Sequence, residues 1–162
     1  SYDKFSYTPD HGEKLYRRSL YTFWRRTMGP PNAFDVANRQ VCMVKPKRTN
    51  TPLHALTMLN DPTYVEAARV WAERMMREGG DEPLAWAFQQ STGRAPEDRE
   101  LEVLQRTYEK ARRHYAEVPE AADELLTVGE WPKAEGVDAV ELASFAMVGQ
   151  LLLNSDEVMS RE

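Results

Sequence analysis

The chain is poor in the residues that build metal and disulfide sites. Its 162 residues include one cysteine, Cys42, and three well-separated histidines, His11, His54 and His114. A lone cysteine excludes an internal disulfide framework and any multi-cysteine metal centre. No His-x-x-x-His or Cys-x-x-Cys spacing is present, so each histidine is expected in a structural or surface role. The Cys-x-x-Cys-His signature is missing, and with it covalent c-type haem attachment. Glycine-rich phosphate loops and the Gly-x-Ser-x-Gly nucleophile elbow are absent too, which removes the commonest nucleotide and hydrolase signatures. No apolar run approaches the roughly 18 residues of a membrane span. The best candidate, Ala139 to Leu153, is interrupted by Glu141, Ser144 and Gln150. Cys42 lies between Val41 and Met43 with no adjacent histidine, which favours buried packing over a reactive thiol.

What is present is unevenly distributed. The formal net charge of -5 covers ten Lys or Arg against four Asp or Glu in residues 1–54, and eleven against twenty-two in the remainder. The length suits one domain, and 41% hydrophobic residues supply a core. The basic first third interleaves Arg17, Arg18, Arg25, Arg26, Arg39, Lys45, Lys47 and Arg48 with Tyr16, Tyr21, Phe23, Trp24 and Phe34. Guanidinium groups among aromatics suit nucleic acid, anionic polysaccharide or an acidic protein surface. The plainer alternative is that these arginines neutralise the acidic remainder of the same domain. That alternative is favoured, because nucleic-acid binders are usually basic overall. With no initiator Met and no signal pattern at Ser1, the chain is expected to be processed or a piece of a longer protein.

The expected fold is mainly α: about six helices in a compact domain, preceded by a long irregular, Arg-rich loop region. Residues 1–50 form the irregular basic region and 51–162 the helical body. In the first part only 13–28 leaves room for a continuous element, for which helix is favoured over strand. Thr51 and Pro52 open a short helix to Asn60, with Leu53, Leu56 and Leu59 as its inward side. Asp61 and Pro62 open a second helix, striped by Val65, Ala68, Ala72, Met75 and Met76 and ended by Gly79-Gly80. Asp81 caps a third, with Leu84, Ala87 and Phe88 inward and Gly93 as its stop. A fourth begins near Pro96, and its Leu101, Leu104, Tyr108, Ala111 and Tyr115 form a narrow seam, read as one side of an antiparallel pair within the domain. Pro119 opens a short fifth helix to Leu126. The last runs from about Asp138 to Leu153, with Val140, Ala143, Met147 and Leu151 inward. Glu97 and Glu100 read as part of a solvated face. The cap-rich stretch from Arg48 to Leu56 reads as N-capping, with an anion site at the helix start as the alternative.

Several ordered motifs resemble a known family. They are Arg17 to Arg26, Phe34-Asp35 with Arg39 and Cys42, Thr49 to Leu56 through Leu59-Asn60-Asp61-Pro62, and Val65-Glu66-Ala67-Ala68-Arg69. Gly93-Arg94-Ala95-Pro96 and Leu152 to Glu157 extend the likeness. Together they are similar to the planctomycete-type domain of unknown function found C-terminal to cytochrome-c-like domains (PSD family), and to its C-terminal portion only. His54 stands where the family usually has Gln, and Val158 where it has Phe. The resemblance implies an extracytoplasmic, multidomain parent protein, with any haem in a separate upstream domain and no cofactor in this chain. It carries no catalytic residues. Arg17, Arg18, Arg25, Asp35, Arg39, Arg48 and Asn50 are the candidate binding residues, and Asn60 joins their polar motif.

The leading expectation is therefore a non-catalytic accessory domain that contacts neighbouring domains of its parent chain or a protein partner. An enzyme or redox accessory acting on anionic polysaccharide is the alternative. Single-stranded nucleic-acid binding through Tyr21, Phe23 and Trp24 is a weaker one.

Overall fold

Proline and short polar side chains set most of the helix starts. The computed structural model describes residue 8, residues 10–16 and residues 52–159. Among these, a 3-10 turn at Gly12–Leu15 precedes seven α-helices: α1 Pro52–Asn60, α2 Pro62–Glu78, α3 Pro83–Thr92, α4 Asp98–Glu117, α5 Pro119–Leu126, α6 Ala139–Leu153 and α7 Asp156–Met159. No strand occurs among the described residues. The mainly α expectation is met, and α7 is one short helix more than the sequence announced.

The caps explain the boundaries. Proline at the first helical position of α2, α3 and α5 sacrifices only an N–H that would lack an intrahelical partner anyway. The Asp61 side chain accepts from Thr63 N at 2.9 Å, and that of Asp138 accepts from Glu141 N at 2.7 Å. Glu97 and Glu100 form a reciprocal capping box at the start of α4, so they are structural rather than merely solvated. Gly93 closes α3 at φ +84, a left-handed position that glycine adopts without penalty. Asp81 does not cap α3: Pro83 fixes the start one residue later, and Glu82 takes the N-cap position without a side-chain bond.

Helix α6 is the centre of the fold and packs against every other α-helix. Nine of its fifteen residues are buried, including Leu142, Phe145, Val148 and Leu152. A helix apolar around its whole circumference belongs inside a core. Its polar members are bonded: the Ser144 hydroxyl donates to Val140 O at 2.5 Å, and Gln150 Nε2 donates to Leu59 O at 3.4 Å. At Gly149 the α6 backbone comes so near α2 that a Cβ would lie 2.9 Å from the Ala68 carbonyl oxygen. Against the other side lies α4, whose Leu104, Ala111 and Tyr115 are buried. Tyr108 packs on Phe145 with ring centroids 4.6 Å apart. The start of α4 is joined through Arg94 to Glu157, beyond the end of α6, while Tyr108 meets the first half of α6, so the two helices run antiparallel.

Two expectations about faces are corrected. Leu53, Leu56 and Leu59 are 60%, 58% and 40% exposed, and Met58 is the buried residue of α1. Both sides of that nine-residue helix carry apolar groups, and its contacts with α2 and α6 select the one bearing Met58. Leu151 points outward, because periodicity cannot choose a face on a helix as uniformly apolar as α6. The element expected over 13–28 starts as a 3-10 turn that leaves helical geometry at Tyr16, with φ -92 and ψ 42. Its remainder, Cys42 and Thr51 lie outside the described residues.

Candidate functional site

The inward stripe of α2 contains two charged residues, Glu66 at 5% and Arg69 at 1% relative exposure. Burying such charges is costly unless each is paired and hydrogen-bonded. Both bond to one segment that follows Gly129. The Glu66 carboxylate accepts from the backbone N–H groups of Glu130 and Trp131, the latter at 2.8 Å, and from the Tyr16 hydroxyl at 2.6 Å. Arg69 donates to the carbonyl oxygens of Trp131 at 2.6 Å and Pro132 at 3.3 Å, and to Glu73 Oε1 at 2.9 Å. The i, i+3 pair therefore holds consecutive donors and consecutive acceptors of a single loop. Arg69 Nε has no partner among the described residues.

Close approach of this loop to α2 depends on Gly129. Its φ of +92 lies in the left-handed region, and an added Cβ would sit 2.5 Å from Cδ and 2.7 Å from Cβ of Glu66. From the other side, the Glu130 carboxylate receives Gly12 N and pairs with His11 Nδ1, each at 2.7 Å. Those two contacts hold the Glu130 carboxyl below its usual range. Burial of the Tyr16 hydroxyl, then its hydrogen bond to Glu66, push its ionisation up to about 12. The Tyr16 ring meets the Trp131 ring edge-on, with centroids 5.3 Å apart.

Tyr16 and Trp131 form one wall of a cleft of about 400 Å³, completed by Ala67, Val70 and Trp71 of α2 and by Leu153. Thr63 and Arg74 also line it. Trp71 stacks on Trp86 at 5.4 Å, and the Arg74 guanidinium lies 5.0 and 5.6 Å from the two ring centres. Arg74 is itself held by Glu78 through Nε and Nη2. The Glu78 carboxyl is lowered to about 2, chiefly by hydrogen bonds from Arg74 and Arg77. The Trp71 indole N–H is buried without a hydrogen-bond partner among the described residues.

This arrangement suits binding better than bond-making. Both oxygens of Glu66 are occupied by donors, so the carboxylate is not poised as a general base. Ser91, Thr92 and Ser144 donate their hydroxyls to carbonyls of their own helices. No group of three potential metal ligands clusters among the described residues. What remains is concave and mostly apolar, with a few polar groups at its edge, which is the usual character of a ligand or docking pocket.

Residues 2–108 match the family described as PSD1, protein of unknown function (DUF1553). The chain belongs to this family. The matched stretch includes Tyr16, all of α1 to α3, and the Glu66–Arg69 pair, and it ends within α4. Trp131 and α6 lie beyond it. No curated protein matches the chain, and no solved structure does.

The family motif Val65 to Arg69 supplies Glu66 and Ala67 to the cleft. Arg17, Arg18, Arg25, Asp35, Arg39, Arg48 and Asn50, the binding candidates read from sequence, lie outside the described residues. Asn60 is described, and its side-chain amide donates to Leu56 O at 2.8 Å, finishing α1. Sequence reasoning placed Glu66 and Arg69 in a family motif without a site role and passed over Trp71 and Trp131. The available signal was a Glu and an Arg three apart inside the apolar stripe of α2, where charge has to be explained by a partner.

Proposed function

We propose that the chain is a non-catalytic interaction domain that receives an apolar surface of a neighbouring domain or protein partner in the Tyr16–Trp71–Trp131 cleft. The observation that carries this reading is the use of Glu66 and Arg69. The two most deeply placed charges of α2 are spent on fixing the loop that bears Trp131, leaving a preorganised aromatic wall. Preorganisation of this kind lowers the ordering cost of association. The resemblance to domains lying C-terminal to cytochrome-c-like domains supports an extracytoplasmic setting, with haem in a separate domain of the parent protein.

Titration with 1-anilinonaphthalene-8-sulfonate, an apolar fluorescent probe, tests the cleft. One saturable site with energy transfer from tryptophan is expected. Val70→Glu should abolish it while leaving the unfolding midpoint in place. Unsaturable binding, or binding indifferent to Val70→Glu, would remove the cleft as the site. A turnover lost in Glu66→Gln with the fold intact would overturn the non-catalytic reading.

A second reading, binding of anionic polysaccharide, is favoured by Arg74 beside the faces of Trp71 and Trp86. A sugar ring stacked on Trp71 would bring a carboxylate or sulfate towards that guanidinium. Thermal shifts with polygalacturonate at low salt, reduced by Arg74→Ala, would favour it, and no shift would count against it.

A further inference from the structure

A second concavity lies where α3 and the turn before it face α4 and α6. It encloses about 490 Å³. Leu84, Leu101, Tyr108 and Phe145 form its floor, and Asp81, Glu82 and Glu141 its edge, with no Lys, Arg or His in the lining. Those three carboxylates are set apart by their place together at the edge of an apolar floor. Glu66, Glu73, Glu78, Glu100, Glu130 and Glu157 each bind a cation or a backbone N–H. No ion pair with a described residue engages Asp81, Glu82 or Glu141. Arg112, one turn beyond Tyr108 on α4, acts on Tyr108 but lies outside the lining. Asp138, at the start of α6, adds a further negative charge facing Tyr108.

We propose that this cleft docks a cationic amphipathic segment of a protein partner, with apolar side chains on the Leu84–Leu101–Phe145 floor and Lys or Arg opposite Asp81, Glu82 and Glu141. Charge complementarity selects the occupant. Three carboxylates with no cation among the described lining residues repel nucleic acid, anionic glycan and anionic lipid alike. A simple metal ion does not suit a site whose floor is apolar, and these carboxylates do not form a metal cluster. A segment carrying both apolar and basic groups satisfies floor and edge together, as amphipathic helices do in hydrophobic grooves. The site shares no lining residue with the aromatic cleft, so the inference stands independently of the function proposed above.

The test is fluorescence anisotropy of the full chain with a labelled peptide that alternates pairs of Leu and Lys. Saturable binding is expected, weakening several-fold between about 50 mM and about 300 mM salt as screening shortens the reach of the charges. The triple variant Asp81→Asn, Glu82→Gln, Glu141→Gln should weaken it by about tenfold or more. A charge-matched control, Glu109→Gln with Glu117→Gln and Glu120→Gln on exposed positions, should leave it within about twofold. A Lys-Ser peptide of equal charge should bind at least about tenfold more weakly, since it lacks the groups for the floor. Equal losses in the two triple variants, equal binding of the two peptides, or no saturable binding would each overturn the proposal. All six substitutions are isosteric and lie outside the buried core, so circular dichroism should show an unchanged fold.

Discussion

Replacing Gly129 by alanine should loosen the link between the Trp131 loop and α2, and the structure sets the scale. Holding a non-glycine residue at φ +92 costs of order 1–3 kcal/mol. The new methyl would overlap the Glu66 side chain, so the carboxylate must move away from the N–H groups of Glu130 and Trp131 that it serves. Leaving a buried donor unpaired costs about 1–3 kcal/mol. Lower entropy of the unfolded chain returns about 0.4–1 kcal/mol. A net loss of about 3 kcal/mol is expected, a large share of the roughly 5–15 kcal/mol of a typical domain. Urea unfolding followed by the helical circular dichroism signal would read it as a lower midpoint at unchanged slope. The cause is separable in a double-mutant cycle with Glu66→Ala. Once the carboxylate is gone, the methyl meets only the β-carbon at position 66, and the two losses should fall short of additivity by about 1–2 kcal/mol. Strict additivity, or a Gly129→Ala cost below about 1 kcal/mol, would refute the view that Glu66 and Gly129 act as one clamp.

Gly149→Ala pits about 1 kcal/mol of helix propensity against overpacking of about 1–3 kcal/mol on the Ala68 backbone, so a lower melting temperature is expected and a higher one would contradict the close approach of α2 and α6. Tyr16 ionises near 12 in the fold against an ordinary 10, so its contribution is complete below pH 10 and fades as pH rises through about 12. Tyr16→Phe should lose less stability than the parent over that window, and superimposable alkaline unfolding profiles would refute this. Arg94 bridges Glu100 and Glu157, and its guanidinium lies 4.9 Å from the Phe88 ring centre. Arg94→Ala should raise amide exchange at Val158 and Met159 by about tenfold or more while the α6 core stays protected. Unchanged exchange would mean that α7 is held by other contacts.

Much of the fold was legible because its signals are local. Asp61-Pro62, Pro119 and Asp138 start helices by chemistry that acts within a turn, and Gly93 stops one in the same way; the start at Pro83 was assigned to Asp81 instead, and the Glu97–Glu100 box was read as a solvated face. The seam of α4 was legible because Leu101, Leu104, Tyr108, Ala111 and Tyr115 alternate three and four apart. Faces were less legible where apolar residues surround the helix: Leu56 and Met58 are similar in hydropathy, and only the partners of α1 decide between them.

The site divides along the same line. Sequence by itself determined an α-helical chain without the motifs of metal, nucleotide or hydrolase chemistry, and ordered motifs that match the PSD1 family. Tertiary structure decided that Tyr16, Glu66 and Trp131, up to 115 positions apart, share one hydrogen-bonded corner. It also decided that Asp81, Glu82 and Glu141 border one apolar floor. Caps and periodicity act over a few residues and are written in the chain, whereas the partner of a buried charge is fixed only when distant segments pack.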